Sequence, residues 1–221
     1  MADFDKNKFE AEFGSIFIFL GMGHFSNAIV IEEYSPNWKL EFEQMSKIFV
    51  DRLSNLVLSV EHIGSTAVPG LCAKPVIDID IVVDSVSELK KNIPILVDLG
   101  YQYQGEVSIP DRFVFRPTSR IVPDDGSQRL WLKHHLYCCI NGSTALRNHL
   151  ILRDALRKDE LLMNAYGLLK RTLAKTANNM DEYVMGKTSF ITKILSQNGM
   201  SNAELEAIME QNKTVIPFPR K

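Results

Sequence analysis

The sequence predicts a mixed α/β fold, α+β in character, followed by a helical C-terminal region. Three observations carry this. Runs at 57–63, 76–83 and 131–140 read as strands, 76–83 being rich in β-branched residues, and no strand is read after residue 142. Helix-start signals stand between them, at Ser35-Pro36 and at Ser85 with Glu88. Beyond Asn141-Gly142-Ser143 the apolar residues recur at helical spacing.

The elements follow in order. Residues 1–27 read as an N-terminal extension without an assignable role, and 28–31 as a short strand. Ser35 can accept from an orphan N–H and Pro36 fits the first helical position. Trp38, Phe42, Met45 and Phe49 then continue an amphipathic helix to about Leu53. After the strand at 57–63, Gly64-Ser65-Thr66 closes a turn. Pro69, Gly70 and Pro75 keep any helix that follows short. Ser85 and Glu88 form a capping box for a helix to Leu99, with Gly100 as its stop. Residues 101–107 and 112–116 read as a strand pair, Pro123-Asp124-Asp125-Gly126 as a turn, and 131–140 as a last strand. The expected division is an α/β domain over 28–142 and a helical region over 143–221 packed on it. In that region Leu161, Leu162, Ala165, Leu168, Leu169 and Leu173 read as core, Ser201 with Glu204 as a cap, and the tail from Val215 as loose.

Composition narrows the function. The 221 residues are 45% apolar and 24% charged, values of a folded chain rather than a disordered one. A net charge of −2 argues against binding nucleic acid through bulk charge. The longest apolar run, Ile16 to Leu20, is far too short to span a bilayer, and the acidic start is unlike a signal peptide. Cys72, Cys138 and Cys139 form neither an even framework nor a metal spacing, and read as reduced thiols of a cytoplasmic protein.

Residues two apart on a strand face the same way, so Asp78 and Asp80 share one face of 76–83, opposite Ile77, Ile79, Ile81 and Val83. Two carboxylates at that spacing repel unless a proton or a cation lies between them. Mg²⁺ would resolve this, because it takes carboxylate oxygens together with water and phosphate. The alternative is a solvated polar face on an edge strand. Gly64-Ser65-Thr66, about a dozen residues earlier, offers N–H groups and hydroxyls that suit phosphate oxygens. Alone it is an ordinary turn. Lys74 between the two motifs adds a positive charge, or is a plain surface lysine.

His62-Ile63-Gly64-Ser65-Thr66-Ala67-Val68-Pro69-Gly70-Leu71, with Lys74-Pro75-Val76-Ile77-Asp78-Ile79, resembles the signature of the GrpB family. Tyr34-Ser35-Pro36-Asn37-Trp38, Gly100-Tyr101, Arg112, His135-Leu136, Arg153-Asp154, Tyr166 with Lys170, and Tyr183 with Lys187 extend the likeness. It covers roughly residues 28–197. The resemblance implies a nucleotidyltransferase-type mixed sheet with the polymerase-β-like fold. It also implies a Gly-Ser motif presenting nucleotide phosphates and an Asp-x-Asp strand holding Mg²⁺. Such enzymes activate a hydroxyl and stabilise departing pyrophosphate in an in-line transfer. Many members of that superfamily supply a third carboxylate from a later strand. Here 131–140 holds no acid, and Lys133, His135, Tyr137 and Cys139 alternate on one face of it.

On the helices, Tyr166 with Lys170 and Tyr183 with Lys187 are spaced to share a face. With Arg153 and Arg112 they are expected around the phosphates, Tyr stacking on a base, the alternative being ordinary packing and solvated charge. His62 and His135 are further candidates, His62 equally as a buried structural histidine. His149 shows no supporting context. The expected function is Mg²⁺-dependent transfer of a nucleotidyl group from a nucleoside triphosphate to a small-molecule or protein acceptor that the sequence leaves unknown. The alternative is a nucleotide-binding or regulatory module without turnover. Neither a nucleic-acid nor a membrane partner is expected, and the sequence leaves the oligomeric state open.

Overall fold

In the computed structural model, residues 29–107 and 109–213 are described. The expected N-terminal extension and the tail from Val215 lie outside them. Helix α1, Pro36–Leu53, starts where Ser35 Oγ accepts from Asn37 N–H at 3.3 Å, and it buries Trp38, Met45, Phe49 and Leu53. Strand β1, Ser59–Ile63, leads through a single 3₁₀ turn, Ser65–Ala67, to β2, Ile77–Val83. Helix α2, Val86–Asp98, is capped by Ser85 and precedes the strands β3, Tyr101–Glu106, and β4, Arg112–Pro117. Strand β5 spans His134–Ile140.

The five strands form one mixed sheet in the order β1-β2-β5-β4-β3. β2 runs parallel to β5, and the other neighbours are antiparallel. The fully buried Ile77, Ile79, Ile81 and Val83 of β2 meet α1 and α2 in the main core. Asp78 and Asp80 thereby face the other way, as the alternation requires.

Behind the sheet come α3, Thr144–Lys158; α4, Glu160–Thr176; α5, Met180–Met185; α6, Thr188–Gln197; and α7, Asn202–Lys213. Val68 and Leu71 join Leu156, Tyr166, Leu173, Tyr183 and Phe190 of these helices in a second apolar cluster. No described helix is long and apolar enough to cross a membrane.

Three readings need correction. Residues 29–31 form no strand; Glu32 and Ala73 exchange two backbone hydrogen bonds of 2.8 Å, and Ile29 and Ile31 pack on the second cluster instead. Residues 131–133 lie outside β5, since Trp131 N–H donates to Arg120 O and its indole N–H to Pro123 O. Leu161 and Leu168 are 56% and 58% exposed. Seven residues apart, they share the outward face of α4.

Candidate active site

The site is built on the polar face of β2. Register places His135 beside Asp78 and Tyr137 beside Asp80 on β5, and Ile63 beside Asp78 and Glu61 beside Asp80 on β1. A central strand gives both acids neighbours on each side. Asp78 Oδ1 lies 2.8 Å from His135 Nδ1, and Asp80 Oδ2 lies 2.7 Å from His149 Nδ1 on α3. Asp78 remains partly exposed, whereas Asp80 is fully buried and its Oδ1 has no hydrogen-bond partner among the described residues.

Gly64 connects β1 to the short turn with φ +70°. Its missing side chain lets the backbone lie against the Asp78 carboxylate, which a Cβ would strike at Oδ2. The turn then closes through Ala67 N–H to Gly64 O at 3.3 Å and Val68 N–H to Ser65 O at 3.2 Å.

Gly64, Ser65 and Asp78 line a cavity of about 220 Å³, together with Arg112, Tyr137, His149, Arg153, Tyr166 and Lys187. Arg112 lays its guanidinium 4.6 Å from the Tyr137 ring centre, and its buried Nε has no hydrogen-bond partner among the described residues. Lys187 Nζ sits 4.3 Å from the Tyr183 ring centre, and burial draws it down to about 8. Arg153 is already engaged. It donates to Glu61 Oε2 at 2.8 Å, to Asp154 Oδ1 at 2.7 Å and to His62 O at 3.2 Å. Burial would lower its pKa, but those two carboxylates raise it further. For Asp78, burial acts upward and is outweighed by the His135 hydrogen bond and the charges of His135, His149 and Lys187. Its carboxyl stays below the usual value.

Of the other sequence candidates, Thr66, His62, Lys170 and Lys74 lie outside this lining. Thr66 is buried with its hydroxyl 3.1 Å from His62 Nε2 and donating to Val76 O, so it braces the turn from behind. His62 stacks on Phe42 at 4.6 Å, and burial with the Arg157 charge lowers it to about 4. Both line a separate groove of about 850 Å³ beside Tyr34, Phe42 and Arg157. Lys170 is buried and donates to Cys72 O, 4.9 Å from the Tyr166 ring centre, so it does not reach the cavity. Lys74 is exposed and outside the lining, although its charge is felt at Lys187. Tyr166 is buried and stacks on Phe190 at 5.1 Å, forming wall rather than a free platform.

Sequence reasoning passed over His149 and Glu61. His149 stands one turn before Arg153 on α3, so the helical period already placed the two on one face. Glu61 alternates with Ile63 on β1, which puts a third acid on the Asp80 face. Asp78, which lines the cavity, and Asp80, which is buried outside its lining, are the carboxylates of this face that could hold a hard dication.

The family model for GrpB protein matches residues 28–197 of this chain. The chain belongs to the GrpB family. A UPF0157 protein of Halalkalibacterium halodurans is 32% identical over 171 residues, covering 77% of this chain and 82% of that one. The crystal structure of the conserved protein GrpB from Enterococcus faecalis superposes on this GrpB-family chain with a TM-score of 0.63 at 30% identity. That match covers 80% of this chain and 98% of the other. A weaker likeness, TM-score 0.41 at 17% identity, runs to the Cid1 poly(U) polymerase with MgGTP bound, over 70% of this chain and 50% of that one.

Proposed function

We propose that this GrpB-family protein is a Mg²⁺-dependent nucleotidyltransferase that takes a nucleoside triphosphate and passes its nucleotidyl group to an acceptor bearing a hydroxyl. The supporting observation is the contact between the Gly64 backbone and the Asp78 carboxylate, at the floor of a cavity walled by Arg112 and Lys187. A glycine bend, a carboxylate and two cations converge there on one small volume, as a phosphate chain with its counter-ion requires.

Asp78 and Asp80 would hold Mg²⁺, which when bound polarises the phosphate and helps ionise the acceptor hydroxyl. The protein's own groups do the rest. Gly64 and Ser65 present the turn to the phosphate oxygens. Arg112 supplies a buried N–H that has no partner among the described residues, and Lys187 a point charge. His135 holds Asp78 ionised and oriented. The cavity of about 220 Å³ accommodates a phosphate chain rather than a whole nucleotide, so sugar and base extend out of it.

A second reading, binding without turnover, is favoured by Glu61. This third acid of the face is tied to Arg153 at 2.8 Å rather than free for a second ion. Calorimetric titration with Mg²⁺ and a nucleoside triphosphate tests the shared part. Asp78→Asn and Asp80→Asn are expected to abolish Mg²⁺-dependent binding, and unchanged binding overturns the reading. Pyrophosphate release across a panel of acceptors then separates a transferase from a silent binder.

A further inference from the structure

A second set of donors stands behind the phosphate cavity. One ligand atom each from Asp80, Cys139 and His149 lies within 4.8 Å of the others. β5 presents Cys139 on the same face as His135 and Tyr137, and Val82 of β2 is its register partner. Cys138 faces the opposite way, into the main core. His149 comes from α3 and touches Asp80 Oδ2.

We propose that Asp80, Cys139 and His149 form a metal centre of the zinc type, separate in chemistry from the Mg²⁺ of the phosphate cavity. The Asp80 carboxylate is fully buried, yet among the described residues its Oδ1 has no hydrogen-bond partner. A carboxylate oxygen left so in a dry interior is costly unless something positive reaches it. An O, N, S donor set is foreign to Mg²⁺, which takes oxygen, and suits Zn²⁺, which accepts carboxylate, imidazole and thiolate together.

The spacing is workable. Ligands on a tetrahedral ion at about 2.0–2.3 Å stand roughly 3.3–3.8 Å apart, so the observed cluster closes with a contraction of about 1 Å. Three protein ligands leave a fourth position. His149 lines both the phosphate cavity and a cavity of about 110 Å³ beside Asp111, Asn148 and Ile208, whereas Asp80 and Cys139 are fully buried and line neither.

Asp80 is common to this centre and to the proposed Mg²⁺ site, so the test acts on the other two ligands and uses no nucleotide or Mg²⁺. The full chain, reduced and stripped by chelation, is titrated with Co²⁺ as a spectroscopic substitute for Zn²⁺. The expected result is a thiolate-to-cobalt charge-transfer band that saturates at equimolar ion and is displaced by Zn²⁺. Cys139→Ser removes the band, and His149→Ala weakens binding by more than about tenfold. Circular dichroism of the metal-free variants checks that each is folded, and Cys139→Ala serves if the serine variant is not. Absence of the band in the wild-type chain overturns the proposal, as does a band that survives in folded Cys139→Ser or Cys139→Ala. Either failure leaves the phosphate reading standing on its own nucleotide titrations.

Discussion

Asp78 and His135 are register partners across the parallel β2–β5 pair, and their side chains meet at 2.8 Å between Oδ1 and Nδ1. This contact is among the forces that hold the Asp78 carboxyl below its ordinary range. A depressed acid is ionised above its folded pKa, and what it supports is lost as pH falls through that value. His135→Ala is therefore expected to move the acid limb of Mg²⁺-nucleotide binding to higher pH, and to weaken binding at neutral pH by up to about tenfold. Binding isotherms on both proteins from about pH 7 downward check this. An unmoved acid limb would sink the role given to His135.

Gly64 combines φ +70° with the Asp78 carboxylate where a Cβ would be. Gly64→Ala is expected to destabilise by about 1–3 kcal/mol through backbone strain. It should also displace Asp78 and so weaken nucleotide binding. Urea midpoints measure the first effect and titration of the folded variant the second. An alanine variant of native stability and affinity would show that the close approach is incidental.

Acid should unfold this protein early. Burial lowers His62 and His134 each to about 4 from 6.5, with the Arg157 charge adding at His62. The unfolded chain then binds protons that the native state refuses between those values, so stability falls as pH drops from about 6.5 to 4. Each histidine contributes a loss on the order of 3 kcal/mol across that window. His134, whose Nε2 is 2.6 Å from the Tyr101 hydroxyl, is the cleaner probe. Urea midpoints of His134→Gln should fall less steeply with acid than those of the wild type.

The opposite limb belongs to the lysines. Burial lowers Lys170 to about 7 and Lys187 to about 8, from 10.5. Above each folded value the unfolded chain holds a proton that the native chain has released, so stability rises with pH. Lys170→Met is expected to remove the rise between pH 7 and 8 and to halve the slope from about pH 8 to 10.5, where both lysines contribute. Denaturant midpoints at several alkaline pH values resolve the two.

Legibility followed the range of the interaction. The α1 and α2 starts, the β2 alternation and the β3–β4 pair were readable because caps, β-branched runs and turn residues act over a few positions. The pairing of Asp78 and Asp80 on one face was readable for the same reason. Lys170 and Thr66 were not, since their partners are the Cys72 and Val76 carbonyls, which no local pattern exposes. His149 was overlooked because its meaning comes from Asp80, 69 residues earlier. Leu161 and Leu168 followed an apolar stripe that turned out wider than the buried face of α4.

Arg153 reaches back 92 residues to Glu61, and Lys187 closes over a turn laid down far earlier in the chain. Bringing such distant segments together carries a loop-closure cost before any contact rewards it. During vectorial synthesis the acids of β2 leave the ribosome long before the groups that will enclose them. The cavity is thus closed late in synthesis, and a translation product that stops at the end of the sheet would lack Arg153, Tyr166 and Lys187 from its walls.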